Sequence, residues 1–425
     1  MQNLNKYGVS YYNGKIQGIV PYNLFYRPGQ PIHIKASFLA GARFDTKPGI
    51  AHFLEHMILA GSKKYPDKRA LVTPLEILGG MVGASTNTDL ITVKMEIAEK
   101  NDLAVAVEIL NEIINQPLFD EQTMETERGS ILAEVQMRYH NRAICVGDIY
   151  DTLVYQGTVC GVKVIGTEES VKTISRADLI NFYQTVFKRN PVSWSISGDV
   201  EEADIVNALA KLHTPPVGLE GFFIEKLPII REKTMIHEVF DDNKTDLILG
   251  FRTEPADIAD AASLDILLTY LAFDRGCKLQ DELRYKRGLI YNVRGFNDLS
   301  FDAGNWNIVT SCLADKTQEV LNVIIAELQS LKEKGISPDE LRLVKNRIIK
   351  SNIRKMQTSD SWAAIASNPA FLTEPEKFLI TNYEQAIDQV TPEDVVATAK
   401  KYFTSNNWYL AMCGPESLNG IKVNL

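Results

Sequence analysis

Two segments of the 425-residue chain repeat one pattern at a constant spacing. In each segment a Ser or Thr stands three residues before an Asp, an apolar run follows, and a short apolar strand ends at a Gly. Three landmarks recur 216 positions later: Asp178 as Asp394, Phe187 as Phe403, and Gly198 as Gly414. A repeat of this length indicates that the chain contains two copies of one folding unit.

The same order of elements recurs upstream of these landmarks in both copies. Hydrophobic periodicity predicts a strand, a buried helix and a long charged helix in each: His33–Ala40, Ile50–Ala60 and Phe119–Tyr139, then Asp246–Arg252, Ala261–Leu271 and Pro338–Met356. The sequence therefore predicts an α+β fold of two homologous α/β half-repeats. Because Pro215, Pro216 and Gly218 are typical of a linker, we place a linker at 213–233 between domains 1–212 and 234–425.

Composition excludes several classes of protein. The formal net charge of -9 has the wrong sign for a chain that grips phosphate backbones, so we expect no nucleic-acid partner. Five cysteines without a CxxC pair favour a reducing compartment. Residues 1–23 do not have the apolar run that is typical of a signal peptide, and the most apolar helical stretch, 262–273, is too short to span a membrane. We therefore expect a cytoplasmic protein with no membrane partner.

The predicted helix at Ile50–Ala60 is apolar apart from His52, Glu55 and His56. At 100° per residue these three side chains form a single strip along the helix. Two imidazoles one turn apart can converge on one Zn²⁺, and a catalytic zinc takes three protein ligands. Glu55 would then be the general base that removes a proton from the attacking water.

The third ligand must come from another element, and the long helix with Glu127 and Glu134 is the natural donor. The two carboxylates are seven residues apart and share a helix face, so one can bind the metal while the other supports a ligand. Spacing alone does not choose between them.

His52-Phe-Leu-Glu55-His56, followed by Glu134 in the run 127–134, resembles the inverted zinc motif of the pitrilysin and insulinase metallopeptidases. The resemblance extends over nearly the whole chain and is nearest to the shorter branch that contains mitochondrial processing peptidase and its bacterial relatives. It implies a processing-peptidase-like fold, one zinc ion per chain, Glu134 as the third ligand and Glu127 as a carboxylate that assists catalysis. The second half lacks HxxEH, so we expect metal only in the first.

The same resemblance implies a substrate-binding Arg and Tyr in the second half, and Arg284 and Tyr291 stand at the matching positions. A guanidinium and a phenol suit a carbonyl oxygen that becomes negative during attack. It also implies a substrate strand, which in this chain is Gly83, Ala84, Ser85 and Thr86. The family pattern there is Asn-Ala-aromatic-Thr, so the Asn and the aromatic residue are replaced. An extended peptide would pair with this edge through its main chain.

These features favour a zinc endopeptidase for extended or unfolded peptides. In the family four half-repeats form a clamshell. Because this chain has two half-repeats, we expect it to form a homodimer, or a heterodimer, that encloses a chamber. Two alternatives remain: a non-catalytic partner subunit that captures substrate, and a peptide-binding module without turnover. The intact HxxEH motif favours the enzyme.

Overall fold

The computed structural model describes residues 1–212, 235–255 and 258–425, so the predicted linker at 213–233 lies outside the described residues. The strands are β1 (Gln2–Leu4), β2 (Val9–Ile16), β3 (Val20–Tyr26), β4 (Ile32–Phe38), β5 (Met81–Thr86), β6 (Ile91–Ile97), β7 (Val192–Gly198), β8 (Met235–Val239), β9 (Lys244–Thr253), β10 (Ile290–Leu299), β11 (Gly304–Leu313) and β12 (Tyr409–Gly414).

The helices of the first half are α1 (Ile50–Leu59), α2 (Lys68–Glu76), α3 (Leu103–Asn115), α4 (Glu121–His140), α5 (Arg142–Val154), α6 (Glu168–Thr173), α7 (Arg176–Phe182) and α8 (Glu202–Leu209). Those of the second half are α9 (Ile258–Ala272), α10 (Thr317–Lys334), α11 (Pro338–Lys355), α12 (Ser359–Ile365), α13 (Pro369–Thr373), α14 (Pro375–Phe378), α15 (Ile380–Gln389) and α16 (Pro392–Tyr402).

Two mixed sheets share one topology. Sheet 1 has the order β1-β2-β3-β7-β4-β6-β5, and sheet 2 has the order β10-β11-β9-β12-β8. In sheet 1, β7 is parallel to β3 and antiparallel to β4. In sheet 2, β12 is likewise parallel to β8 and antiparallel to β9. The last five strands of sheet 1 therefore correspond one to one with sheet 2, which confirms the repeat.

The repeated landmarks have the local structure that their residue types predict. Ser175 caps α7 and Thr391 caps α16, each in a capping box closed by an Asp three residues later. The apolar strands β7 and β12 that follow are buried along their whole length and end at Gly198 and Gly414.

The described residues form two compact units that exchange segments. Unit 1 contains residues 1–136, 162–212 and 353–375, and unit 2 contains residues 137–161, 235–352 and 376–425. Helix α5 comes from the first half of the sequence but packs on β8, β9 and β12 of sheet 2. Helix α12 comes from the second half but packs on β3, β4 and β7 of sheet 1. The predicted domains 1–212 and 234–425 are continuous in sequence and do not include this exchange.

Each unit has its own apolar core. In unit 1, Ile32, Ile34, Ala36 and Phe38 of β4 are fully buried, because alternate residues of the strand face the helices. The other face of β4 carries His33 and Lys35, and α12 covers part of it. All five cysteines are buried free thiols. Within the described part of the chain, no helix has both the length and the apolar character needed to span a bilayer.

Candidate metal centre

A glycine and an aspartate determine where α1 begins. Gly49 has φ 88°, and a Cβ at this position would lie 2.7 Å from the backbone oxygen of Ile165, so only glycine fits without strain. The Asp45 carboxylate accepts hydrogen bonds from the backbone N–H of Gly49 at 2.7 Å and of Ala51 at 3.1 Å. Burial raises the pKa of Asp45 to about 7, against the lowering effect of these bonds. These contacts fix the amino-terminal end of α1, just before His52.

Helix α1 packs its apolar residues into the core of unit 1 and turns its polar strip outward. Ile50, Phe53, Leu54 and Ile58 are fully buried. His52, Glu55 and His56 are all half-buried, and the two imidazole centroids lie 4.8 Å apart. The apolar face therefore holds the three polar side chains at the border between core and solvent.

Helix α4 brings Glu134 to this strip. One possible ligand atom from each of His52, His56 and Glu134 lies within 4.8 Å of the others, and His52 Nε2 is 3.7 Å from Glu134 Oε2. In a tetrahedral zinc site with Zn–N and Zn–O bonds near 2 Å, ligand atoms are about 3.4 Å apart. The donor set and its spacing thus fit a zinc ion, with only small side-chain movements needed.

Glu127 lies on the same helix and holds His56. Its Oε2 is 2.7 Å from His56 Nδ1. When Nδ1–H donates to this carboxylate, the neutral imidazole leaves the lone pair of Nε2 for a metal. A carboxylate that orients a histidine in this way is typical of metal sites. The two carboxylates that spacing alone did not distinguish therefore have different contacts.

Arg128 fixes α4 in place, a role that no motif in the sequence indicates. Its guanidinium donates to the backbone oxygens of Val171 and of Ile174, the latter at 2.8 Å, and lies 5.2 Å from the ring centroid of Phe53 on α1. It also pairs with Glu125. A basic residue next to Glu127 was the only sequence signal, and such residues are common on helix surfaces.

Glu55 is positioned by β5, the strand that contains the predicted substrate-binding residues. Thr86 Oγ1, at the end of β5, donates a hydrogen bond to Glu55 Oε2 at 2.7 Å. Burial raises the pKa of Glu55, and the Thr86 hydrogen bond and the nearby His56 only partly oppose this rise. A raised pKa brings a carboxylate closer to the range in which it can accept and release a proton.

The strand that contains Gly83, Ala84, Ser85 and Thr86 is at the edge of sheet 1. Among the described residues β5 pairs only with β6. Strands β5 and β6 form an antiparallel hairpin. The side chain of Thr86 contacts Glu55, while Gly83 to Ser85 offer their outer backbone edge.

Arg284 and Tyr291 lie together in unit 2, whereas the metal ligands belong to unit 1. The Arg284 guanidinium is 4.5 Å from the centroid of the Tyr291 ring, which makes a cation–π contact. Tyr291 is 74% exposed, on edge strand β10. The pair lines a cavity of about 430 Å³ together with Gln280, Arg294 and Phe296. Both side chains are therefore available to a ligand.

Comparison with known proteins places these features in context. The family profile described as Insulinase (Peptidase family M16) matches residues 32–168, and that described as Peptidase M16 inactive domain matches residues 173–348. Human mitochondrial-processing peptidase subunit beta is 27% identical over 389 residues, which cover 88% of this chain and 78% of that protein. An uncharacterized zinc protease of Mycobacterium leprae is 26% identical over 381 residues, covering 87% and 83%.

Solved structures share the fold. A protease from Helicobacter pylori superposes with a TM-score of 0.86 at 18% identity, covering 96% of this chain and 100% of that one. A protein from Pseudomonas fluorescens described as a peptidase M16 inactive domain gives a TM-score of 0.85 at 18% identity, covering 96% and 98%. The two profiles together span most of the sequence, and the chain belongs to the pitrilysin and insulinase family of peptidases, family M16.

Proposed function

We propose that this chain is a zinc-dependent endopeptidase that cleaves extended or unfolded peptides. The observation that carries the proposal is the approach of His52, His56 and Glu134 to within 4.8 Å, with Glu55 beside them on α1. A zinc ion held by these three residues would supply the Lewis acidity that peptide-bond hydrolysis requires. The M. leprae relative is named a zinc protease, which supports this assignment.

Glu55 is the proposed general base. It takes up a proton from the attacking water at a carboxylate oxygen and releases it to the nitrogen of the leaving amine. Two features suit this role: the hydrogen bond from Thr86 holds the carboxylate in place, and burial raises its pKa. Glu127 keeps His56 in the required tautomer through the contact at Nδ1.

Substrate binding is assigned to two places. A peptide in extended form would pair with the backbone of Gly83 to Thr86, and folded proteins would be spared because they lack a free strand. Arg284 and Tyr291 would bind the carbonyl oxygen of the cleaved bond as it becomes negative. The exposure of Tyr291 and the adjoining cavity support a contact with substrate.

We further propose that two copies of the chain form a clamshell with a shared chamber. Under this proposal the metal ligands of one protomer work with Arg284 and Tyr291 of its partner. A heterodimer is the alternative, since the human relative is named a subunit. A cytoplasmic location is also part of the proposal.

One observation favours a second function, a partner subunit without activity. The P. fluorescens protein with the same fold is described as an inactive domain. The family profile with the same description, however, matches only residues 173–348 of this chain, and these do not contain His52, Glu55 or His56. The metal group itself is what separates the two proposals.

The proposal is tested by the variant Glu55→Gln. Elemental analysis should find one zinc per chain in the wild type and in the variant, because the three ligands are intact. Hydrolysis of an unstructured fluorogenic peptide should be lost in the variant, since the base is gone. Zinc-loaded wild-type protein without hydrolysis would favour the inactive subunit, and wild-type turnover by Glu55→Gln would refute the mechanism.

A further inference from the structure

A lysine lies on the strand next to the proposed substrate strand. Lys94 lies in the middle of β6, where Ile91, Val93 and Met95 are buried in the core. Because side chains alternate along a strand, Lys94 points to the opposite face of sheet 1 and is exposed there. It forms no hydrogen bond or ion pair with the described residues, and its charge acts at longer range on the carboxylates of Glu55 and Asp360.

The neighbouring charges on this face are already paired. Lys94 is opposite Lys35 of β4, and Lys35 Nζ lies 2.8 Å from the Asp360 carboxylate on α12. Glu96, the next residue of β6 on this face, lies 3.8 Å from His33. The charge that remains available next to β5 is therefore the positive charge of Lys94.

On its other side Lys94 is opposite Gly83 of β5. Gly83 has no side chain, and a Cβ placed there would have no atom within 4 Å. The space above Gly83 is therefore open, from Lys94 to the edge of the sheet. Any larger residue at this position would stand between Lys94 and a strand added at that edge.

A peptide strand added to β5 would complete this arrangement. Residues directly opposite each other in a sheet point their side chains to the same face, so the peptide residue opposite Gly83 would share the face of Lys94. The backbone of β6 at Lys94 and the backbone of the peptide are two strand spacings apart, roughly 10 Å. The four-carbon stem of lysine and the side chain of an Asp or Glu can bridge this distance when no side chain lies between them.

We propose that Lys94 and Gly83 form a subsite that selects an acidic side chain, Asp or Glu, at the peptide position paired with Gly83. Lys94 supplies the charge, and Gly83 supplies the opening through which the two groups meet. The inference rests on the proposed function, because it requires a peptide on β5, and it adds a substrate preference.

The test measures binding apart from hydrolysis. Zinc-loaded, full-length Glu55→Gln protein is titrated into fluorescein-labelled peptides of Gly, Ser, Ala and Leu that carry a single Asp, Asn or Lys at each position in turn. At one position Asp should bind roughly twofold to fivefold more tightly than Asn, the range of an exposed ion pair, and Lys should bind more weakly. High salt should reduce the difference.

Substitutions then identify the residue responsible. Adding Lys94→Glu should reverse the order of Asp and Lys at that position, and Lys94→Met should abolish the preference. Gly83→Leu should also abolish it by filling the opening. The matched control is Lys100→Glu, since Lys100 is exposed just after β6 and outside the sheet; it should leave the order unchanged.

The outcomes are distinct. An unchanged order in Lys94→Glu, or an equal change in Lys100→Glu, would overturn the subsite while peptide binding stands. Failure of every peptide to bind, in wild type and variants alike, would overturn the subsite and the proposed function together.

Discussion

Glu134 and Glu127 share one face of α4, yet the structure predicts different effects on zinc binding when each is changed to Gln. Glu134→Gln removes a proposed ligand and its negative charge. Glu127→Gln leaves the ligands but replaces the carboxylate that is 2.7 Å from His56 Nδ1. Both substitutions conserve shape, so the helix itself should be unaffected.

The size of each effect follows from the contacts. Loss of a carboxylate that orients a metal-binding histidine typically lowers the affinity for the metal about 10-fold to 100-fold, which is about 1.4 to 2.7 kcal/mol of binding free energy. Glu127 is largely buried, with 18% of its side chain exposed, so the upper part of this range is expected. Removal of a ligand by Glu134→Gln should cost more, above about 100-fold.

The assay is a competitive titration of metal-free protein against a fluorescent zinc chelator, with circular dichroism to show that each variant is folded. Glu121→Gln is the matched control, because Glu121 is an exposed Glu in the first turn of the same helix. It should bind zinc like the wild type. A larger loss in Glu127→Gln than in Glu134→Gln would assign the third ligand to Glu127, and losses no greater than the control would refute the metal centre.

Three further predictions concern stability, pH and assembly. Gly49→Ala should lower the free energy of unfolding by about 1–3 kcal/mol, because an alanine is strained in the left-handed backbone conformation of this position. The loss should exceed that of Gly79→Ala, where φ is also positive but a Cβ would meet no other atom. Denaturant unfolding measures both variants, and equal losses would refute the predicted clash with Ile165. Burial raises the pKa of Asp45 to about 7, so this carboxyl keeps its proton to a higher pH in the folded state than in the unfolded state, where its pKa is about 4. In metal-free protein Asp45 should therefore lower the free energy of unfolding by at most about 1.4 kcal/mol per unit as pH rises from about 4 toward 7. Asp45→Asn should remove this contribution from the measured slope, and an unchanged slope would contradict the prediction. An exchanged mixture of Glu55→Gln and Tyr291→Phe chains, each inactive alone, should recover about a quarter of wild-type peptidase activity if sites are shared between protomers; no recovery after confirmed exchange would refute sharing.

The local parts of the fold were predictable because their signals are local. The capping boxes at Ser175 and Thr391 and the apolar face of α1 depend on residues a few positions apart. Their bounds in the structure differ from the predicted ones by only a few residues. The repeat then extended these assignments to the second half.

The contacts that the sequence did not indicate are between distant residues. The hydrogen bond from Thr86 to Glu55, the bonds of Arg128 to residues 171–174 and the position of Lys94 opposite Gly83 all depend on strand register and helix packing. The different contacts of Glu127 and Glu134 likewise depend on how α4 lies against α1. Periodicity determines which face a residue occupies and does not determine which partner it meets.

The exchange of α5 and α12 has a consequence for the order of events during synthesis on the ribosome. Trp362 of α12 is fully buried in unit 1, with its ring centroid 5.1 Å from that of Phe25. Unit 1 therefore cannot bury this part of β3 until residues beyond 362 have left the exit tunnel, although its strands are made much earlier. Until β9 and β12 have been synthesised, the apolar face of α5 has no sheet to pack against. A nascent chain stopped before α12 should thus expose apolar surface and bind chaperones, and neither half of the sequence should be stable when expressed alone.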